Sequence, residues 1–204
     1  MKMRHQYNLI LLAVFAVLAT AFFLLFTYKP QPTNGTVATE GTPAIGGSFT
    51  MTDQHGHPFT EQNLLGKYSL VFFGFTHCPD VCPDTLGRIT AVLKKLPSED
   101  RTQFQVVFVT VDPQRDTQQA MADYLKQFNP EYIGLTGTAK QLSAMAKKYL
   151  VYYAVNPDSD PEYYLMDHSA FIYLMDKDGK YVSHYSHKMQ PDAILADINR
   201  QLHP

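Results

Sequence analysis

The chain has 204 residues, of which 45% are hydrophobic and 18% are charged, with a formal net charge of −2 and only two cysteines. The first 30 residues contain three basic side chains and no acidic ones, so the rest of the chain carries 14 basic and 19 acidic side chains. A mildly acidic domain without a block of basic residues argues against nucleic acid as a partner.

The N-terminal segment is apolar over residues 9–26, with Thr20 as its only polar member. A helix of this length spans about 27 Å, close to the hydrocarbon thickness of a bilayer. Small residues in the middle of the run loosely resemble a signal-peptide cleavage site, but the apolar run continues past them, which favours an uncleaved anchor. Lys2 and Arg4 precede the anchor and only Lys29 closely follows it, so the N-terminus is predicted to be cytoplasmic.

We therefore predict three segments. Residues 1–29 form the cytoplasmic N-terminus and a transmembrane helix, and residues 30–45 form a flexible linker rich in Pro, Gly and Thr. Residues 46–204 form one external domain, long enough for a real hydrophobic core. Because no Arg-rich organelle leader precedes the anchor, the predicted location is a bacterial inner membrane, with a single pass and the C-terminal domain in the periplasm.

The external domain alternates short apolar runs with helical patterns. Strands are predicted at 69–75, 104–111, 132–135 and 169–175, helices after Cys82, over 117–128, behind a Thr138 cap and from near Pro191, and hairpins near Gly56 and at Asp178-Gly179. Most of these runs are continuous rather than alternating, which is typical of strands buried on both faces. The order predicts an α/β fold, a mixed sheet with helices on both faces and an antiparallel hairpin at one edge.

Both cysteines, Cys78 and Cys82, lie in FGFTHCPDVCP at residues 73–83, between a predicted strand and the next helix. Functional groups of open α/β sheets gather at such junctions. The four-residue spacing brings both sulfurs to one face, near a helix N-terminus that favours thiolate over thiol. Pro79 and Pro83 stiffen the loop, so the site is predicted to be preorganised.

Three roles compete for this pair. A disulfide closing so short a loop would constrain the unfolded chain little. A redox couple is plausible, although the usual spacing has two intervening residues rather than three. Two thiolates also suit Cu(I) or zinc, but a structural zinc site takes four protein ligands and no further cysteine exists. Copper with one added imidazole is favoured, and the redox role stays open.

The imidazole cannot be chosen from sequence physics alone. His168 stands at the entrance to a predicted central strand, where a structural role is the commoner one, and His77 adjoins Cys78 but points to the opposite side. The remaining histidines are expected in the cytoplasm, at the C-terminal end, in a hairpin turn or at solvated positions near a strand end: His5, His203, His55 and His57, and His184 and His187.

Three separated motifs together resemble the SCO/SenC family of copper-binding assembly proteins for cytochrome c oxidase. They are FTHCPDVCP, VTVDPQRDT at residues 109–117 and DHSAFIYLMDKDG at residues 167–179. The similarity covers roughly Gly46 to the C-terminus and includes the N-terminal anchor. It implies a thioredoxin-like fold with the cysteine loop after a central strand.

The resemblance also implies a mononuclear copper site, holding Cu(I) or Cu(II), with Cys78, Cys82 and His168 as ligands. Family members deliver copper to the binuclear copper centre of oxidase subunit II, or maintain the thiols of that centre. The partners expected from the resemblance are therefore cytochrome c oxidase subunit II and a copper donor chaperone.

Two activities compete with copper delivery. In one, the protein is a thiol-disulfide reductase or peroxidase-like enzyme, with Cys78 as nucleophile and Cys82 as resolving cysteine. In the other, it is a copper-dependent redox sensor. Asp112 and Asp116 are expected as cap and turn residues near the site, and Met166 as a core residue.

Overall fold

A computed structural model of the chain describes residues 45–203. The predicted membrane anchor and nearly all of the predicted linker lie outside these residues. Within residues 45–203, none of the helices combines the length and apolar character needed to span a bilayer.

The described chain alternates strands and helices. The strands are β1 (Thr50–Asp53), β2 (Pro58–Thr60), β3 (Tyr68–Gly74), β4 (Phe104–Thr110), β5 (Ile133–Thr136), β6 (Tyr153–Val155), β7 (Met166–His168), β8 (Phe171–Met175) and β9 (Tyr181–Ser186). The α-helices are α1 (Val81–Lys95), α2 (Ser98–Arg101), α3 (Gln118–Leu125), α4 (Ala139–Lys148) and α5 (Pro191–Leu202), and a short 3-10 helix, Glu61–Leu64, precedes β3.

Seven strands form one mixed sheet in the order β2-β1-β5-β4-β3-β8-β9. β3, β4 and β5 pair in parallel, and the two hairpins, β1-β2 and β8-β9, add antiparallel strands at the two edges. The predicted mixed sheet with a closing antiparallel hairpin is therefore confirmed. Two further short strands, β6 and β7, form a separate antiparallel sheet that was not predicted.

Helices cover both faces of the large sheet, as predicted. Phe72 and Phe73 are consecutive residues of β3, so their side chains point to opposite faces. The Phe72 ring lies 5.8 Å from that of Phe108, which lies 5.7 Å from Tyr124 in α3. On the other face, the Phe73 ring lies 5.4 Å from Tyr149 at the end of α4. All but Tyr124 are fully buried.

Local capping sets the helix boundaries. The predicted Thr138 cap is confirmed, since its side chain accepts from the main-chain N–H of Gln141 at 3.2 Å. The helix predicted over 117–128 is shorter, because Thr117 is its N-cap and its last helical residue is Leu125. Both predicted hairpins are confirmed, and each turn contains a glycine with positive φ, 87° at Gly56 and 72° at Gly179.

The apolar run at 169–175 forms a strand over only part of its length. This strand, β8, begins at Phe171 and lies between β3 and β9. At Ser169 the chain leaves β7, where the Ser169 N–H donates to the Tyr152 carbonyl at 2.9 Å. His168 therefore lies just before an interior strand, as predicted, but it also ends a strand of the small sheet, which was not predicted.

Candidate functional site

The two cysteines lie where β3 passes into α1. Cys82 is in the first turn of α1 and is fully buried, whereas Cys78 precedes the helix and is half-buried. The Cys82 main-chain N–H donates to Cys78 Sγ at 3.4 Å. Both are free thiols in this structure. The predicted strand-to-helix position of the pair is confirmed, and so is the approach of the two side chains.

Gly74, the last residue of β3, makes room for the buried sulfur. A Cβ at this position would lie 2.7 Å from Cys82 Sγ and 2.7 Å from the Phe108 ring. Both contacts are shorter than van der Waals packing permits, and both partners are buried. Glycine is therefore required here by close approach rather than by its backbone conformation.

His168 reaches the cysteine pair from β7. Its Nε2 lies 3.6 Å from Cys82 Sγ, across 86 positions of sequence, and its Nδ1 lies 3.3 Å from the Ser169 carbonyl oxygen. Because a carbonyl can only accept, this contact favours the tautomer with the proton on Nδ1, which leaves the Nε2 lone pair for a metal ion. Phe72 and Phe75 pack edge-on against the ring at 6.2 and 6.0 Å between centroids, which fixes its orientation.

The pKa values of the two thiols are shifted in opposite directions. A hydrogen bond from the Cys82 thiol is the main cause that lowers the pKa of Cys78 to about 4, against the effect of burial. The same hydrogen bond, burial and the negative charge on Cys78 raise the pKa of Cys82. At neutral pH the pair therefore holds one proton and one negative charge, with the charge on the more exposed sulfur.

Two sulfurs and one imidazole nitrogen form a donor set that fits copper. Thiolates are soft ligands that select Cu(I), and imidazole is an accepted third donor. Within the described part of the chain, however, no group of three or more His, Cys, Asp or Glu side chains is already arranged to hold a metal ion. A metal ion must also displace the retained proton before both sulfurs can bind.

Asp116 fastens the cysteine loop to the sheet. This buried carboxylate accepts from the Thr76 N–H at 3.1 Å and from the hydroxyls of Thr76 and Thr110, both at 2.6 Å. Burial raises the pKa of Asp116, while these hydrogen bonds oppose the shift. The expected role as a cap or turn side chain was wrong, since Thr117 caps α3 and Asp116 instead anchors the loop before Cys78.

Asp112 belongs to a second cluster, which we call the Tyr164 clamp and define as Asp112, Arg115 and Tyr164. The Arg115 guanidinium lies 3.6 Å from the centre of the Tyr164 ring and pairs with the Asp112 carboxylate, which also accepts from the Tyr164 hydroxyl at 2.9 Å. Asp112 is thus no cap either. Tyr164 belongs to the segment that joins β6 to β7, so the clamp holds the hairpin that carries His168. The sequence contains no local signal for this contact.

A groove of about 320 Å³ opens beside the cysteines. Cys78, His168, Met166 and His187 all line it, together with apolar side chains such as Leu165. Met166 also packs against the hydrophobic core, as predicted. The prediction of a solvated His187 was wrong, because this side chain is half-buried in the groove.

The other described histidines lie outside the groove. His77 is exposed, with Nδ1 3.8 Å from the Asp116 carboxylate. The others are exposed as predicted, in the β1-β2 turn, on β9 beside Tyr181 and after α5: His55 and His57, His184, and His203. His5 lies outside the described residues.

Comparison with known proteins supports the copper interpretation. The model of the SCO1/SenC family matches residues 37–203. The chain is 42% identical over 163 residues to the mitochondrial protein SCO2 of Saccharomyces cerevisiae, covering 79% of this chain and 54% of that protein. It is 38% identical over 200 residues to an SCO2-like protein of Rickettsia felis, covering 96% and 97%. The chain therefore spans about half the length of the yeast relative and nearly all of the rickettsial one.

A solved structure shares both the fold and the sequence similarity. The structure of ScoI from Bradyrhizobium japonicum with copper bound matches with a TM-score of 0.69 and 44% identity, covering 76% of this chain and 98% of that one. The match to a Sco protein confirms the thioredoxin-like fold predicted from the three motifs.

Proposed function

This chain belongs to the SCO1/SenC family, and we propose that it is a copper chaperone that uses Cys78, Cys82 and His168 as ligands. The observation that carries the proposal is the 3.6 Å separation of Cys82 Sγ and His168 Nε2. Folding brings one of the chain's eight histidines to a buried sulfur, beside a groove through which an ion can enter. Copper is the cargo of this protein rather than a resident cofactor.

The protonation of the two cysteines supports an order in which the three ligands bind copper. Cys78 is already a thiolate and lines the groove, so it meets Cu(I) first. Cys82 then loses its single proton as it binds, and Nε2 of His168 completes the set. On delivery, an acceptor's ligands replace these donors one at a time. The buried Cys82 is the last ligand to dissociate from copper, because the acceptor reaches it least readily.

The acceptor in this proposal is the binuclear copper centre of cytochrome c oxidase subunit II, and a separate copper chaperone is the donor. The predicted anchor would hold the domain at the periplasmic face of a bacterial inner membrane. Tethering both partners to one membrane raises their effective concentration, so transfer can proceed through weak, short-lived contacts.

The low pKa and partial exposure of Cys78 favour a second candidate function, thiol-disulfide reduction. In that reaction the Cys78 thiolate attacks a disulfide of the acceptor and releases one acceptor thiolate, which takes up a proton. Cys82 then attacks the mixed disulfide, releasing the second acceptor thiol and leaving a Cys78–Cys82 disulfide. The acceptor disulfide is reduced and the pair is oxidised, so an external dithiol reductant must reset it.

Metal analysis of the domain from about residue 45 tests the proposal. We expect one copper per wild-type domain and none retained against a chelator in Cys78→Ser or Cys82→Ser. His168→Ala should weaken copper retention by about 10–100-fold or more, the loss typical even of groups that only support a ligand, and leave thiol exchange largely intact. If both serine variants keep wild-type copper affinity, the chaperone proposal is wrong. Equal losses of copper retention and exchange in His168→Ala would favour the reductase.

A further inference from the structure

A second histidine lines the groove from the turn that follows β9. The pairing of β8 with β9 places Phe171 opposite Ser186, and the ladder continues where the His187 N–H donates to the Ala170 carbonyl at 3.1 Å. His187 is therefore opposite Ala170. His168 is two positions before Ala170 and ends β7.

His168, Ala170 and His187 all line the groove that contains Cys78. The His187 side chain is half-buried there. Two imidazoles and the exposed thiolate thus surround one space of about 320 Å³.

The two oxidation states of copper prefer different numbers of ligands. Two thiolates and one imidazole satisfy Cu(I), which is soft and accepts few ligands. Cu(II) prefers a four-coordinate, tetragonal arrangement that includes nitrogen or oxygen donors. With Cys78, Cys82 and His168 alone, one of these positions would be left to water.

We propose that His187 is a second imidazole ligand that this chain uses for Cu(II) and not for Cu(I). This inference rests on the proposed copper-binding function and adds one residue to it. A ligand just after β9 lets the same groove hold either ion, because His187 adds a donor for Cu(II) without altering the set that binds Cu(I).

Loading the full-length chain with each ion tests the inference. The reduced protein is given one equivalent of Cu(II) sulfate or of a Cu(I) salt without oxygen, in wild type, His187→Ala and the control His184→Ala. His184 is a matched control, since it is an imidazole three residues earlier, on β9, and faces solvent beside Tyr181. Thiols are counted after copper removal, so that any Cu(II) consumed by thiol oxidation is excluded.

Electron paramagnetic resonance should show two coupled imidazole nitrogens on Cu(II) in wild type and in His184→Ala, and one in His187→Ala. Competition with chelators should show Cu(II) affinity about 10–100-fold lower in His187→Ala, the scale of losing a group that supports a metal site. Its Cu(I) affinity should stay within about threefold of wild type, because the three Cu(I) donors are unchanged.

Two results would overturn the inference: unchanged nitrogen coupling in His187→Ala, or equal losses for both ions. His187→Gln, which keeps a polar side chain of similar length, replaces the alanine variant if His187→Ala melts well below wild type. A different result would overturn the proposed function. If Cys78→Ser retains both copper ions as wild type does, the copper site itself is excluded.

Discussion

At the scale of single residues, a shared proton defines the chemistry of this site. The Cys82 thiol donates to Cys78, which lowers the pKa of Cys78 to about 4, and the negative charge then raises the pKa of Cys82. The two cysteines are consequently inequivalent before any metal binds. One is an accessible thiolate ready to meet an ion, and the other is a buried thiol that yields its proton only on binding.

This inequality predicts an unusual pH profile for alkylation of the copper-free protein by iodoacetamide. An ordinary cysteine, with a pKa of about 8.5, reacts about tenfold more slowly for each unit of pH below that value. The lowered pKa keeps Cys78 ionised, so its rate should be nearly flat from pH 6 to pH 8. Mass spectrometry of the modified peptide measures the rate.

The variants Cys82→Ala and Cys82→Ser test whether the hydrogen bond from Cys82 causes the low pKa of Cys78. Alanine removes the donor, so the pKa of Cys78 should rise and its rate should increase with pH. Serine keeps an O–H donor and should retain part of the flat profile. A wild-type rate that rises tenfold per unit would contradict the hydrogen-bonded pair.

Gly74 supports a second prediction about single residues. In Gly74→Ala the new methyl group meets Cys82 Sγ and the Phe108 ring at 2.7 Å, and forcing apart a packed core costs about 1–3 kcal/mol of unfolding free energy. Urea denaturation measures this loss. Gly87→Ala is the control, because nothing lies within 4 Å of the added atom on exposed α1, and it should stabilise by about 0.5–1 kcal/mol. Equal effects at the two glycines would refute the close approach.

At the scale of elements, the site depends on a hairpin with little support of its own. β6 and β7 have three residues each and form a two-stranded sheet, an arrangement that is marginal in isolation. The Tyr164 clamp ties the segment between these strands to the loop after β4, and Asp116 in that same loop holds Thr76. One loop thus positions both the cysteine loop and the hairpin that carries His168.

Removing the clamp should loosen this hairpin and weaken copper retention. Tyr164→Ala loses both the stacking with Arg115 and the hydrogen bond to Asp112, whereas Tyr164→Phe loses only the hydrogen bond. We expect faster amide exchange across residues 153–168 and lower copper retention in both variants, with the larger effects in Tyr164→Ala. Hydrogen-exchange mass spectrometry and chelator competition measure the two effects.

Tyr163→Ala is the matched control, because Tyr163 is the neighbour of Tyr164 in sequence and its side chain is 72% exposed. It should exchange and bind copper as wild type does. If Tyr164→Ala also behaves as wild type, the clamp has no positioning role.

At the scale of the whole molecule, strand order explains how residues 86 positions apart meet. β8 runs antiparallel to β3, with Phe72 opposite Ile172, so the start of β8 lies beside the end of β3. The cysteine loop leaves β3 at that end, and His168 comes just before β8. The parallel strand β4 ends beside it too, which brings Asp112 and Asp116 to the same edge.

The sequence by itself determined the elements whose signals are local. Continuous apolar runs predicted the interior strands β3 and β4, turn glycines predicted both hairpins, and a threonine cap marked the start of α4. The cysteine pair was placed correctly for the same reason, since a strand, a stiff loop and a helix follow one another directly. The proposal of His168 as a copper ligand came from family resemblance, because its own surroundings predict a structural residue equally well.

Only the tertiary structure decided which distant side chains meet. Strands as short as β6 and β7 carry too few residues for a period of two to be recognised. Thr76 lies 40 positions from Asp116, and Tyr164 lies 52 positions from Asp112. His187 enters the groove only because β9 pairs with β8. Such contacts arise from strand order and register, which are set by burial summed over the whole sheet rather than by any local pattern.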